Sequence, residues 1–191
     1  MSAAGLAVAL AVLLVLAGIV VLLSSVAGRL DRLHIRLATA QASLDRQLVD
    51  RAAATAAVGH AGVLDPAASV VLLAAAEHAR SAPPVDRAAA ESALSVDLRA
   101  VFRDAEAVEG WVAHPDAGPL LVELAASCDR VRLAHRFHDD LVVRTLAVRS
   151  RWLVRTAHLA GHAPRPALVE LDDAAPEALT AATARGTAGL A

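Results

Sequence analysis

Residues 5–28 read GLAVALAVLLVLAGIVVLLSSVAG, and no charged side chain occurs from Met1 to Gly28. A hydrocarbon layer about 30 Å thick takes roughly 20 helical residues, because a helix satisfies its own backbone where water cannot. The run is long enough to span. Three other readings compete with a span. A cleaved signal peptide carries a basic leading region and a shorter apolar core. Nothing basic precedes this run, although the small residues from Ser24 to Gly28 imitate a cleavage site. A buried core helix seldom has every face apolar over such a length. A lipoprotein signal lacks its cysteine, since Cys128 is the sole cysteine of the chain. Residues 1–28 are therefore expected to be a transmembrane anchor. The small residues Ala3, Ala7 and Ala11 share a face that could bring two spans together, a pattern that arises easily in so Ala-rich a segment.

Arg29, Arg32 and Arg36 follow the run, with Asp31 the one acid among them. The positive-inside rule then expects the amino terminus outside and the remainder in the cytoplasm, as a single-pass protein of an inner membrane.

The rest of the composition points to helices. The chain of 191 residues is 57% hydrophobic but 2% aromatic, with a mean hydropathy of +0.51. Its apolar material is Ala, Leu and Val, which suits close-packed helices. Every basic side chain is Arg and there is no Tyr, a compositional bias that weakens the reading of individual Arg or Ala positions. A net charge of −2 and scarce aromatics do not suit a nucleic-acid surface. One cysteine excludes an internal disulfide and a multi-cysteine metal site.

Leu30, Leu33, Leu37, Ala40, Leu44 and Leu48 alternate steps of three and four, which lines them on one seam. With no Gly or Pro until Gly59, the anchor is expected to continue into the bundle, interrupted at most near Gly28. GHAGVLDP (59–66) breaks the helix, and Asp65 with Pro66 forms an N-cap and first-turn pair for a second helix to about Arg80, with Val70, Leu73, Ala74 and Glu77 in register. SAPPVD (81–86) closes it. Asp86 is the next N-cap, and Leu94, Leu98, Val101 and Phe102 stripe a third helix. EGWVAHPDAGP (109–119) reads as a loop or a broken turn. The longest helix runs from about Pro119 or slightly earlier to at least Arg149. One seam holds Leu121, Leu124, Cys128, Val131, His135, His138, Val142 and Thr145; an adjacent line holds Leu133, Phe137, Leu141 and Val148. Residues 172–191, rich in Ala, Thr, Pro and Gly, read as a disordered tail. The expectation is an all-α chain: a transmembrane helix, then an antiparallel bundle of about four helices over residues 29–171.

AHRFHDDLVVRTLAVR (134–149) resembles the signature of the LemA family, in which an Ala-Arg-Arg-Phe-Tyr-Asn-Asp type run is followed by Val, a basic residue and a further Asn. The layout is similar too: an N-terminal span, then AGRLDRLHIRLATAQASLDRQLVDRAAA (27–54), AAAESALSVDLRAVF (88–102) and a closing GHAPRPALVELDD (161–173). His138 and Asp139 stand where the family has Tyr-Asn, the later Asn is absent, and the aromatic, Pro-rich ending is reduced to Trp152, Pro164 and Pro166. The resemblance implies a membrane-anchored antiparallel bundle and supplies no catalytic residues.

The candidate chemistry is sparse. His135 and His138, at i and i+3, place two imidazoles on one face, and a metal site would need a third ligand from Glu77, His78 or Glu91. The competing and preferred reading has His138 in place of a buried Tyr, hydrogen-bonded across the bundle, His135 partly exposed, and Asp139 and Asp140 solvated. His158 and His162 fit a helix end. Cys128 in the seam reads as an inert buried thiol, and no Gly-rich phosphate loop occurs. Arg130, Arg132, Arg136, Arg144, Arg149, Arg151 and Arg155, with Trp152, suit anionic lipid or an acidic partner, against a solvated face paired with Asp129, Asp139 and Asp140. The expected function is that of a non-enzymatic scaffold without a cofactor, in contact with the bilayer and a cytoplasmic protein partner and open to homo-oligomerisation. Its interaction residues are Arg136, His138, Asp139, Arg144, Arg151 and Trp152. The alternative is a metal-dependent bundle enzyme centred on His135 and His138.

Overall fold

The computed structural model describes residues 3–150 and 165–188. Among them the chain is all-α, without a strand. Its helices are α1 (Ala3–His60), α2 (Pro66–Ser81), α3 (Arg87–Val101), α4 (Ala105–Val112), α5 (Gly118–Arg149) and α6 (Glu177–Ala188). Two compact units divide it, Met1–Thr39 with Asp140–Leu168, and Ala40–Asp139 with Val169–Ala191.

In the first unit Leu30 and Val148 are buried together, with Val26 and Leu33 packed against them. The apolar positions before them, among them Leu13, Leu14, Val15 and Leu16, are exposed. This is the one described helix long and apolar enough to cross a membrane, and none of its most apolar stretch is buried. Gly28 does not interrupt it.

The second unit holds the core. Leu44 and Leu48 pack with Val131 and Ala134, while Ala52 and Val58 share a larger cluster with Leu121 and Leu124. Positions therefore rise along α1 as they fall along α5, so the two run antiparallel. The sequence-predicted seam of α5 is buried from Leu121 through Thr145, with His135 alone partly exposed. α1 stops at His60 because Gly62 takes φ +70°, a left-handed conformation that glycine adopts without a Cβ clash. Gly59 serves packing: a Cβ there would meet Leu73 at 2.9 Å, so the end of α1 and α2 approach closely. Asp65 caps α2 as expected, its Oδ1 accepting from Ala67 N and Ala68 N at 2.9 and 3.0 Å. α2 and α3, joined by the short SAPPVD link, pack on each other as a hairpin.

Five expectations need correction. Asp86 precedes α3 but makes no side-chain cap bond. α2 buries Leu72, Ala76 and Ala79 and exposes Val70, Ala74 and Glu77; with apolar residues all round its first half, hydropathy does not select a face. Leu133 and Phe137 are 69% and 62% exposed, so the second line on α5 is buried only at Leu141 and Val148. The stretch read as a loop begins inside α4, which Asp104 caps through bonds to Glu106 N and Ala107 N at 3.1 and 3.4 Å. Trp111 of α4 stands edge-on to Phe102, ring centroids 6.1 Å apart at 81°, a favoured aromatic geometry. Finally, the tail is ordered over α6. Pro176, Leu179, Ala182 and Thr183 recur at helical spacing and are buried, and Leu179 and Ala182 belong to the main core. α6 packs on α4, and this burial, absent from any reading of composition, repays the ordering of the chain.

One ion pair lies inside this core. Arg51 of α1 and Glu91 of α3 are 1% and 2% exposed. Arg51 Nη2 donates to Glu91 Oε2 at 2.7 Å and to the Glu91 carbonyl at 3.0 Å, and Nη1 donates to Ser95 Oγ at 2.9 Å. Burial pushes the Glu91 carboxyl above its ordinary range, and attraction to Arg51, then Arg87, offsets this only in part. Removing one partner strands the other charge, whereas replacing both removes the desolvation cost as well. We therefore predict that Arg51→Ala or Glu91→Ala destabilises the bundle by about 3–5 kcal/mol, while Arg51→Met with Glu91→Leu is neutral or stabilising. Denaturant melts of the purified chain check this; a paired variant as unstable as the single ones would contradict it.

Candidate functional site

The AHRFHDD stretch lies on α5, where a turn of 3.6 residues carries His135 and His138 along the buried seam and brings Asp139 back over His135 at i+4. What completes the site comes from the non-helical segment ahead of α6. Asp173 Oδ2 lies 2.9 Å from His135 Nδ1, and the Val169 carbonyl oxygen lies 2.9 Å from His135 Nε2. Asp139 Oδ2 stands 3.4 Å from the same Nε2, and its Oδ1 accepts from Val169 N at 3.4 Å. A neutral imidazole donates from one nitrogen only. Here both nitrogens face acceptors, an arrangement that the doubly protonated ring satisfies in full. Burial depresses the His135 pKa, but the bonds to Asp173 and Val169, with the charges of Asp139 and Asp173, outweigh it and raise it above the ordinary imidazole value.

A second clasp holds the same segment to α3. Arg99 meets Asp172 through two parallel bonds, Nη1 to Oδ1 at 3.0 Å and Nη2 to Oδ2 at 2.6 Å, and Nη1 also donates to the Ala174 carbonyl at 2.9 Å. The Asp172 amide donates to Ser92 Oγ at 3.0 Å. The bond from Arg99 holds the Asp172 carboxyl below the usual carboxylate range. Residues Val169–Ala174 thus form a strap fastened to α5 by a histidine and to α3 by an arginine.

The sequence-predicted site residues scatter around this strap. His138 is 2% exposed and bonds its neighbour, Nδ1 to Asp139 Oδ1 at 3.1 Å, so it bonds along α5, not across the bundle, and offers no surface to a partner. Asp139 is drawn into the strap and is not the solvated ion expected. Asp140 pairs with Arg144 at 3.2 Å on the exposed side. Arg132 pairs with Asp129, and Arg130 with Glu123 and Gln47, so this part of the arginine run is a neutralised face. Arg136 is exposed. Arg151, Trp152, Arg155, His158 and His162 lie outside the described residues. The proposed third metal ligands are committed elsewhere, Glu91 to Arg51 and Glu77 to Arg80, while His78 is exposed. Among the described residues no group of three His, Cys, Asp or Glu side chains is placed to hold a metal ion. Cys128 is buried, and burial pushes its thiol up, which keeps it protonated and unreactive.

Asp172, Asp173, Arg99 and Ser92 were not singled out by sequence. The one available signal was Asp172–Asp173 ending the closing motif, two carboxylates beside a Pro-rich stretch. Compared with protein-family models, curated proteins and solved structures, the chain matches none.

The two clasps give the strap a pH window. His135 has a raised folded pKa, so its contribution is full below the unfolded value, about 6.5, and is lost as pH rises through the folded pKa. Asp172 has a lowered folded pKa, so its contribution is present above the unfolded value, about 3.9, and is lost as pH falls through the folded one. The strap is therefore predicted to be tightest from about pH 4 to 6.5. Amide protection across residues 169–174, taken relative to the intrinsic base-catalysed exchange rate at each pH, should be greatest there and fall at higher pH, and His135→Gln should abolish the upper limb while leaving the lower. An upper limb that survives in the variant would assign it to another group.

Proposed function

We propose that the chain is a single-pass inner-membrane protein whose cytoplasmic helical bundle acts as a scaffold or adaptor, without catalysis of its own. One observation carries the reading: the Leu, Ile and Val side chains of α1 from Leu6 to Leu22 are all exposed, and none of the most apolar stretch is buried. Fourteen Leu, Ile and Val residues lie between Leu6 and Val26. At about −0.3 to −0.6 kcal/mol each near the bilayer centre, they favour insertion by roughly 4–8 kcal/mol, with no charge to oppose it. A surface of that extent in water would associate or aggregate. Arg29, Arg32 and Arg36 on the following turns support an outside amino terminus. The LemA resemblance supports the same layout, an anchor followed by an antiparallel bundle.

Support for the adaptor role comes from α5, where the exposed Leu133 and Phe137 stand one turn apart beside the exposed Arg136. Aromatic and arginine side chains are the groups that dominate protein interfaces. In the strap, by contrast, Asp172 is met by Arg99 and Asp173 by His135, while Glu170 is exposed.

Two experiments test the reading. The chain should stay with the membrane pellet through an alkaline wash, and a carboxyl-terminal reporter active only in the cytoplasm should be active. Soluble recovery with the first residues missing would remove the anchor; a silent cytoplasmic reporter with an active periplasmic one would reverse the orientation. Phe137→Ser with Leu133→Ser, at exposed positions, should change stability by no more than about 0.5 kcal/mol while losing a co-purifying protein that the parent chain retains. Identical co-purification from both would place the interface elsewhere.

A further inference from the structure

Where α1 leaves the apolar run, a cavity of about 360 Å³ is lined by Arg29, Arg32, Leu33 and Arg36 of α1 and by Arg144, Ala147 and Val148 of α5. We propose that this cavity binds the phosphate of one anionic phospholipid headgroup. The inference rests on the membrane reading of α1 and adds to it a specific ligand site.

The spacing of the arginines comes first. Arg29, Arg32 and Arg36 stand at i, i+3 and i+7, which stacks them on one helix face, and Arg144 of α5 adds a guanidinium from the other helix lining the cavity. Guanidinium groups match phosphate oxygens two bonds at a time, which makes arginine the side chain of choice for such an anion.

Charge balance decides against a purely structural role. Among the described residues, the carboxylate bonded to any of these four arginines is Asp140, which pairs with Arg144 at an exposed position. Arg29, Arg32 and Arg36 carry no described ion pair, and residues 151–164 contain no Asp or Glu. Arg130, Arg132 and Arg99 are each neutralised by an acid. The cavity thus gathers three arginines without a described acid partner beside the paired Arg144, with an apolar border, Leu33 and Val148, where a lipid's glycerol and first methylenes can rest. Its volume, about twelve liquid waters' worth, admits a phosphate and part of the glycerol.

Depth supplies the source of the anion. Arg29 directly follows the uncharged segment, so at about 1.5 Å per residue the three α1 arginines cover roughly the first 11 Å beyond the hydrocarbon. A headgroup layer is roughly 5–8 Å deep on each side. Arg29 and Arg32 therefore stand at the level where lipid phosphates lie, and Arg36 stands at its aqueous edge, within reach of a long side chain.

The full-length chain in neutral-detergent micelles, supplied with equal phosphatidylglycerol and phosphatidylcholine and read by native mass spectrometry, tests this. One phosphatidylglycerol per chain should be retained in preference to phosphatidylcholine. Arg32→Gln and Arg36→Gln should each weaken retention about fivefold, Arg32→Lys less, and the control pair Arg130→Gln with Arg132→Gln should leave it unchanged. Equal retention of both lipids, or equal loss in the control pair, would reduce the effect to net charge and overturn the site. Displacement of the lipid by millimolar inorganic phosphate would make the ligand a free phosphate and overturn the lipid assignment. Flotation of the full chain with pure phosphatidylcholine vesicles reads the anchor separately: a chain that floats without headgroup preference refutes the cavity alone, and one that fails to float refutes the span beneath it. Circular dichroism of each variant identifies any that lose helix, and Arg32→Lys then carries the comparison.

Discussion

A guanidinium and a carboxylate, both closed off from water, dictate how α1 and α3 meet. The surrounding core is Ala, Leu and Val with little aromatic material, and such side chains make no directional bonds that fix one helical turn over the next. A slip of one turn would set Leu48 in the place of Ala52, a misfit of volume. It would also strand Arg51 without Glu91 and Ser95, at a cost of about 3–5 kcal/mol. We read the pair as a device for register more than for stability, since the raised pKa of Glu91 shows that attraction does not fully offset its burial. The paired Met and Leu replacement separates the two roles: stability retained with altered packing supports register, and unaltered packing counts against it.

That degeneracy also explains what could be read from sequence and what could not. On α5 the seam from Leu121 to Thr145 was legible because polar residues separate its apolar positions, so periodicity selects one face. On α2 the run Val70 to Ala76 is apolar throughout, and the buried face followed contacts that periodicity does not encode. α4 was hidden by Gly110 and Pro115, although Asp104 followed by Glu106 is an ordinary helix start. α6 was hidden by composition. Its Leu179 and Ala182 are too few to announce a helix, yet they suffice once the main core offers a surface to bury them.

The strap was the least legible element, for a different reason. It has no repeating backbone hydrogen bonds, and side chains from distant positions hold it: Arg99 to Asp172, Ser92 to the Asp172 amide, His135 to Asp173 and Val169. None of these pairings has a local signature. The histidine was conspicuous in sequence because it stood beside His138, and that adjacency misled. His138 is a seam residue bonded to its neighbour, whereas His135, one turn earlier and nearer the surface, meets the closing segment. Two histidines three apart share a face without sharing a task.

The arginines carry this further, because one residue type performs three jobs in a chain that has no lysine. Arg51 is desolvated and matched by a carboxylate, a backbone carbonyl and a hydroxyl, which makes it part of the core. Arg99 is half-exposed and matched in parallel by Asp172, which makes it a fastener. Arg29, Arg32 and Arg36 stand on one face of a helix with no described acid bonded to them. What distinguishes the three is the location of the compensating charge, supplied by α3, by the strap, or by nothing described in the protein. A charge balanced within the fold is spent on the fold. A cluster left unbalanced at the edge of an apolar span is free to attract anions from its surroundings, and where such a span crosses a bilayer the abundant anion is phosphate.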